Sequence, residues 1–111
     1  MVRPLVPDIT DSFRLLADID FIQAKVHLAE RLRAIEPEVK NKPVLDWIHA
    51  SHPLLQLSLE KQGRSVVPLD ISVSKHKRIL IISGPNAGGK SVCLKTVGLL
   101  QYMLQCGLSV T

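Results

Sequence analysis

The feature that most constrains this chain is the stretch GPNAGGKS at residues 84–91. It fits the pattern G-x-x-x-x-G-K-[S/T] without a mismatch. The unbroken apolar run ILII at residues 79–82 comes shortly before it, and such a run predicts a strand that is buried on both faces. A helical pattern of apolar residues follows the loop. This order of strand, glycine-rich loop and helix predicts the first unit of a nucleotide-binding domain of the α/β class.

The loop composition also predicts what the site binds. Glycines let successive backbone N–H groups turn toward a phosphate, and the following helix adds the positive end of its dipole. Lys90 is expected to meet the β- and γ-phosphates of a nucleotide, and the Ser91 hydroxyl is the expected Mg²⁺ ligand. The predicted phosphate contacts are Gly84, Pro85, Asn86, Ala87, Gly88, Gly89, Lys90 and Ser91. The alternative, a glycine-rich turn with a solvated lysine, is disfavoured by the strand and helix patterns on either side.

Length, composition and charge limit the size of the core and the kinds of partner that we expect. With 111 residues, 46% of them apolar, the chain is expected to form one modest core. A net charge of +4 is weak evidence for a polyanionic partner, because the basic residues are scattered and a mildly basic solvated surface is common. No long uncharged apolar stretch and no signal-peptide layout is seen, so we expect a soluble, cytoplasmic protein without a membrane partner.

The two cysteines do not suggest a disulfide or a metal framework. Cys93 and Cys106 are both predicted on the helix after the loop, where their spacing turns them toward different faces. Small buried apolar residues are the expected role for both. His49 and His52 form a conceivable metal pair, but no carboxylate or thiol completes the set, and surface or packing roles are favoured.

A long helix is predicted before the nucleotide-binding unit. Apolar residues recur at three-and-four spacing, with Thr10 or Asp11 as the expected N-cap and Pro37 as the expected stop. The residues of this face are Leu15, Ile19, Ile22, Val26 and Ala29. We expect the helix to project as an arm, with part of this stripe uncovered by its own chain.

Between the helix and the loop, the period of the pattern changes from helical to alternating. Leucines alternate with polar residues over residues 54–60, and apolar residues alternate again over residues 67–73, with the turn-forming sequence KQGR between them. This predicts a β-hairpin in which Pro68 marks an edge or bulge and Asp70 points to solvent. The segment VLDWIHASHP before it is ambiguous and is compatible with one helical turn.

Several of these segments resemble the start of the ATPase domain of the MutS family. The loop GPNAGGKS with its Pro-Asn pair, SHPLL at residues 51–55 and VVPLDI at residues 66–71 are similar in kind and order to that domain. LADIDFIQAKVHLAERL is similar to the end of the lever helices that return into it. LKTVGL at residues 94–99 is closest to the MutS-two branch. The resemblance covers most of the chain from Leu15 onward.

The resemblance implies an ATP hydrolase that acts on branched DNA, with a role in suppressing homologous recombination, or on stalled, collided ribosomes and their rRNA. It further implies a homodimer and an endonuclease activity in a separate domain. ATP and Mg²⁺ are the implied cofactors. Val66 takes the place where mismatch-repair members have an aromatic residue that stacks on adenine. Leu69 stands where those members have an asparagine, so the preference for adenine over guanine rests on the family.

The resemblance also implies a division of the chain. Residues 1–43 correspond to the lever helix and a linker, and residues 44–111 to the N-terminal part of a P-loop ATPase domain. No Asp or Glu follows Ser91, whereas a P-loop ATPase needs a downstream acidic pair to hold Mg²⁺ and to polarise water. We therefore expect an incomplete domain without catalytic residues of its own. The alternative is a stand-alone nucleotide-binding or phosphate-binding interaction module that hydrolyses nothing.

Overall fold

A computed structural model of the protein describes residues 5–85 and 89–111. Its elements follow the order α1 (Val6–Leu32), β1 (Leu45–Ala50), α2 (Pro53–Glu60), β2 (Leu69–Val73) and α3 (Lys90–Gln105). This mixture of helices and strands, with a long N-terminal helix, confirms the α/β class.

The long helix α1 starts earlier and ends earlier than the sequence predicted. Pro7 lies in its first turn, where a missing N–H costs nothing, and the Thr10 hydroxyl donates to the carbonyl oxygen of Val6 at 2.9 Å. Thr10 is therefore inside the helix, and the predicted cap at Thr10 or Asp11 is wrong. The helix ends at Leu32, and the C-cap residue Arg33 takes a left-handed conformation with φ of 52°. Pro37 comes later and does not end it.

The sheet pairs β1 with β2 in antiparallel order, with Leu45 opposite Val73 and Trp47 opposite Ile71. A bulge interrupts the register between Trp47 and Ala50. The second strand of the predicted hairpin is confirmed from Leu69 onward, and Pro68 lies just outside β2. The predicted partner of this strand is wrong, because β2 pairs with β1, which lies in the segment VLDWIHASHP that the sequence left ambiguous.

The predicted strand at residues 54–60 is the helix α2. Pro53 occupies its first turn, and the His52 Nδ1 atom accepts a hydrogen bond from the Leu55 N–H at 3.3 Å. A capping side chain followed by proline is a helix start signal, and it decides between two periods that a short leucine-rich run satisfies equally.

The strand predicted at residues 79–82 is not formed within the described residues. Ile79 and Ile81 are 85% and 83% exposed, and no strand among residues 5–85 and 89–111 pairs with this segment. A parallel strand is stable only when both faces are covered and neighbours accept its hydrogen bonds. The prediction of a buried strand before the loop is therefore wrong for this structure.

A small core joins the end of α1, the sheet, the C-terminal half of α3 and the chain after it. Its buried members are Leu32, Ala50, Leu100, Met103 and Val110. Ile35 and Val110 exchange two backbone hydrogen bonds of 2.8 and 2.9 Å, which tie the segment after α1 to the segment after α3. Cys93 is half-buried, but Cys106 is exposed, so the predicted buried role is wrong for Cys106.

The molecule is elongated because α1 extends beyond this core. Its radius of gyration is 19.6 Å and its extents are 71 × 40 × 20 Å, whereas a compact chain of this length has a radius near 13 Å. Most large apolar side chains of α1 are exposed, as expected for a projecting arm. Within the described residues, no helix is both long and apolar enough to cross a membrane.

Candidate functional site

The two ends of the glycine-rich loop have backbone conformations that favour glycine. Gly84 has φ of 147° and Gly89 has φ of 80°, and side chains rarely tolerate either value. Gly89 is also the N-cap of α3, and its carbonyl oxygen accepts the N–H of Cys93 at 2.9 Å. The glycines at both ends of the pattern are therefore required by the turn into the helix.

Lys90 connects these two ends. Its Nζ atom donates a hydrogen bond to the carbonyl oxygen of Gly84, so its side chain reaches from the first residue of α3 back to the first residue of the pattern. The ammonium group thus lies beside the backbone of Gly84. This arrangement fits the role that the sequence predicted for Lys90.

The N-terminus of α3 adds further positive potential. Its first turn has no acidic residue, so nothing there neutralises the dipole end that favours anions. Ser91 is exposed in this turn. The described residues hold no group of three or more His, Cys, Asp or Glu that could bind a metal. The Ser91 hydroxyl alone suits an ion such as Mg²⁺ that takes its other ligands from phosphates and water.

Not every predicted contact can be placed. Gly84, Pro85, Gly89, Lys90 and Ser91 belong to the described chain. Asn86, Ala87 and Gly88 lie outside the described residues, and the phosphate contacts of all the residues from Gly84 to Ser91 stay predictions.

Val66 is half-buried and lines an open cleft of about 580 Å³. The cleft lies between the end of α1, α2 and the segment that follows β1, and Thr111 is part of its wall. Its rim carries the cationic side chains Arg33 and Arg64 beside the acidic Glu60, and Arg33 and Glu60 form an exposed ion pair of 3.6 Å. A base contact by Val66 stays a prediction from the resemblance.

His49 makes contacts in this region that the sequence did not predict. It has φ of 57° at the β1 bulge, and both its backbone N–H, at 2.6 Å, and its Nδ1 atom, at 3.1 Å, bond to Oδ1 of Asp70. The backbone N–H bond, followed by the imidazole bond, lowers the pKa of the exposed Asp70 carboxyl. Asp70 is solvent-exposed as predicted, but it also anchors the bulge. His52 serves instead as the cap of α2.

Comparison with known proteins identifies relatives over almost the whole chain. Endonuclease MutS2 of Carboxydothermus hydrogenoformans is 42% identical over 103 residues, which are 93% of this chain and 12% of the relative. Endonuclease MutS2 of Shouchella clausii is 44% identical over 86% of this chain and 11% of its own length. The protein of the same name from Pediococcus pentosaceus is 36% identical over 99% of this chain and 13% of its own length. No family model matches the chain. The chain thus spans about an eighth of the length of these relatives.

Proposed function

Because the chain is a MutS2-like segment, we propose that its loop at residues 84–91 binds the phosphates of ATP together with Mg²⁺. The observation that carries the proposal is the return of the Lys90 side chain to the Gly84 carbonyl across a loop with left-handed Gly89 at the N-terminus of α3. The positive end of the α3 dipole and the Lys90 ammonium group then lie at the same end of the helix, where an anion is favoured.

The roles of individual residues follow from this geometry. Lys90 exchanges its carbonyl partner for phosphate oxygens, and an ammonium–phosphate bond is stronger than a bond to a neutral carbonyl. The Ser91 hydroxyl supplies one ligand to Mg²⁺, and the ion neutralises phosphate charge when it is bound. Val66 is proposed to cover the base, with a contact that an aliphatic side chain makes by packing rather than by stacking.

Calorimetric titration with MgATP tests the proposal. Lys90→Ala is expected to weaken binding by at least about tenfold, since it removes a charged hydrogen bond to phosphate. Lys95→Ala is the matched control: it removes an exposed lysine of the same helix and is expected to leave affinity within about twofold. Equal affinities of the two variants would contradict the phosphate role of Lys90. Ser91→Ala is expected to reduce the Mg²⁺ dependence of binding more than the affinity for ATP without metal.

We further propose that the protein carrying this segment works on nucleic acid as an ATP-hydrolysing dimer with a separate nuclease domain. The relatives are endonucleases by name, which supports a nuclease, and the net charge of +4 suits a polyanionic partner. Branched DNA is the first proposed substrate, with a role in restraining homologous recombination, and collided ribosomes with their rRNA are the second. Mobility-shift titrations of the whole protein with a four-way DNA junction, a matched linear duplex and purified ribosomes separate these substrates.

A second candidate function is a phosphate-binding interaction module without hydrolysis. It requires only the phosphate contacts of the loop and Lys90, because the carboxylates that complete the metal shell and orient water are needed for hydrolysis alone. Tight ATP binding with no turnover by the whole protein would favour this candidate over the ATPase.

A further inference from the structure

The open cleft that Val66 lines has a second side chain of the same segment in its wall. Arg64 precedes Val66 by two residues, and both line the cleft. The chain from residue 64 to residue 68 is neither helix nor strand, and Val67 is half as far again from the core, with 88% of its surface exposed. Arg64 and Val66 therefore face the cleft from one short piece of non-helical chain.

The backbone fixes the position of Arg64 at this wall. Its N–H donates a hydrogen bond to the carbonyl oxygen of Leu59 at 2.9 Å, and the N–H of Gly63 donates to the carbonyl oxygen of Glu60 at 3.0 Å. Gly63 has φ of 67°, a left-handed conformation that suits glycine after a helix. These bonds turn the chain from the end of α2 into the cleft wall, so the root of the Arg64 side chain is held by α2.

The guanidinium group of Arg64 is open to a ligand. Among residues 5–85 and 89–111, its side chain has no ion pair and no hydrogen bond. The carboxylate on the same rim, Glu60, pairs instead with Arg33 at 3.6 Å. A guanidinium group is planar and weakly hydrated, and it stacks on the faces of aromatic rings. Arg64 thus offers the flat contact that the aliphatic Val66 cannot make.

The spacing of Arg64 and Val66 suits one flat ring between them. Residues two positions apart in an extended chain are separated by roughly 7 Å. A ring that contacts one group on each face at about 3.5 Å needs the same distance. A purine, with two fused rings, offers the guanidinium group more area than a pyrimidine does, so it gains more from this contact.

We propose that Arg64 positions the base of the bound nucleotide by stacking on one face while Val66 packs on the other, and that this contact favours purines over pyrimidines. The inference rests on the proposed binding of ATP and assigns the residue that sets its base preference. Because a stack reads the face of a base and not its edge, adenine and guanine are accepted alike.

Calorimetric titrations with MgATP and with magnesium tripolyphosphate, which has no base, separate this contact from phosphate binding. Arg64→Ala is expected to weaken MgATP binding by at least about threefold and to leave tripolyphosphate binding within about twofold. Lys90→Ala should weaken both ligands. Lys61→Ala is the matched control, because it removes one exposed cation that does not line the cleft, and it should leave both affinities within about twofold.

The two ligands make the failure of this inference distinct from the failure of the proposed function. Equal affinities of the parent chain for MgATP and tripolyphosphate, or an equal loss of both in Arg64→Ala, would overturn the base contact and leave the phosphate site standing. A parent chain that binds neither ligand would contradict the phosphate site, and the base contact would fall with it.

Two further variants separate stacking from charge. Arg64→Tyr keeps a flat side chain without the charge and should bind MgATP within about twofold of the parent chain, whereas Arg64→Lys keeps the charge without the plane and should be as weak as Arg64→Ala. The reverse order would overturn the stacking role. Circular dichroism of each variant verifies that the helices are retained.

Titration with MgCTP measures the base preference directly. The parent chain is expected to bind MgATP at least about threefold more tightly than MgCTP, and Arg64→Ala should lose most of this difference. A parent chain without a preference, or a preference that survives in Arg64→Ala, would overturn the selection of purines by Arg64.

Discussion

Lys25 Nζ lies 3.4 Å from the carbonyl oxygen of Gly107 and 3.3 Å from that of Cys106. The same ammonium group lies 4.7 Å from the centre of the Phe21 ring. A cation is thus held at the C-terminal end of α3, where the helix dipole favours positive charge. This contact joins the arm α1 to the helix that begins at the glycine-rich loop.

Lys25→Met is expected to lower the free energy of unfolding by about 0.5–1.5 kcal/mol, because it removes two hydrogen bonds and a dipole interaction while keeping most of the apolar stem. Urea unfolding followed by circular dichroism measures the change. Lys95→Met, at an exposed position of α3, is the control and should stay within about 0.5 kcal/mol of the parent. Equal stabilities of the two variants would show that the Lys25 contact contributes nothing.

His49 offers a test of backbone strain at the bulge. With φ of 57°, glycine should be more stable than alanine at this position by about 1 kcal/mol, because a Cβ atom is unfavourable in the left-handed region. Both variants lack the imidazole, so their difference isolates the backbone. At Ile48, which is the neighbouring residue on β1, alanine should be the more stable of the two. Thermal unfolding of the four variants measures these differences in stability. An alanine variant more stable than the glycine variant at position 49 would contradict the left-handed conformation at the bulge.

Asp70 makes the bulge sensitive to acid. Bonds from the His49 N–H and then the imidazole hold the Asp70 pKa below its ordinary value. The folded pKa is thus lower than the unfolded one. The resulting stability is present above the unfolded pKa and is lost as the pH falls through the folded pKa, below about pH 4.

Asp70→Asn should therefore lower stability at neutral pH and should lose this part of the acid dependence. Urea midpoints measured from pH 7 to pH 3 give the comparison. Asp46→Asn, at an exposed position of β1, serves as the control and should follow the parent curve. A gap between Asp70→Asn and the parent that stays constant down to pH 3 would refute the assignment.

The chain by itself is expected not to turn over ATP. The proposed site offers phosphate contacts and one proposed Mg²⁺ ligand, Ser91, but no Asp or Glu follows Ser91 in this sequence to complete the metal shell and orient water. A phosphate-release assay beside the Lys90→Ala variant checks this. Turnover that depends on Lys90 would show that the carboxylates come from elsewhere.

The sequence predicted those parts of the fold whose signals are local and long. α1 and α3 repeat their apolar spacing over several turns, so each helix has a signal within its own segment. Residues 54–60 were too short for their period to separate strand from helix, and the cap at His52 with Pro53 settled the choice. The partner of β2 depended on contacts distant in sequence, which a pattern within one segment does not contain.

In the candidate site too, the sequence predicted features with a local signal and missed those that depend on contacts distant in sequence. The pattern at residues 84–91 indicated the glycine positions and Lys90 because each has a local backbone or charge requirement. Nothing in the sequence indicated the left-handed backbone of His49, because this conformation results from a bulge that exists only once β1 and β2 have paired. The segment at residues 79–82 failed as a strand for a related reason, since its apolar residues require neighbouring strands to cover them.

The extents of 71 × 40 × 20 Å have a consequence for how the molecule moves in solution. A rod-like particle experiences more friction than a sphere of equal mass, so one copy of this chain should elute from a sizing column ahead of globular standards of 12.3 kDa. Elution volume alone would then overstate its mass and suggest a pair where one copy is present. A measurement of mass that does not depend on shape, such as light scattering, is therefore needed to count the copies in the particle.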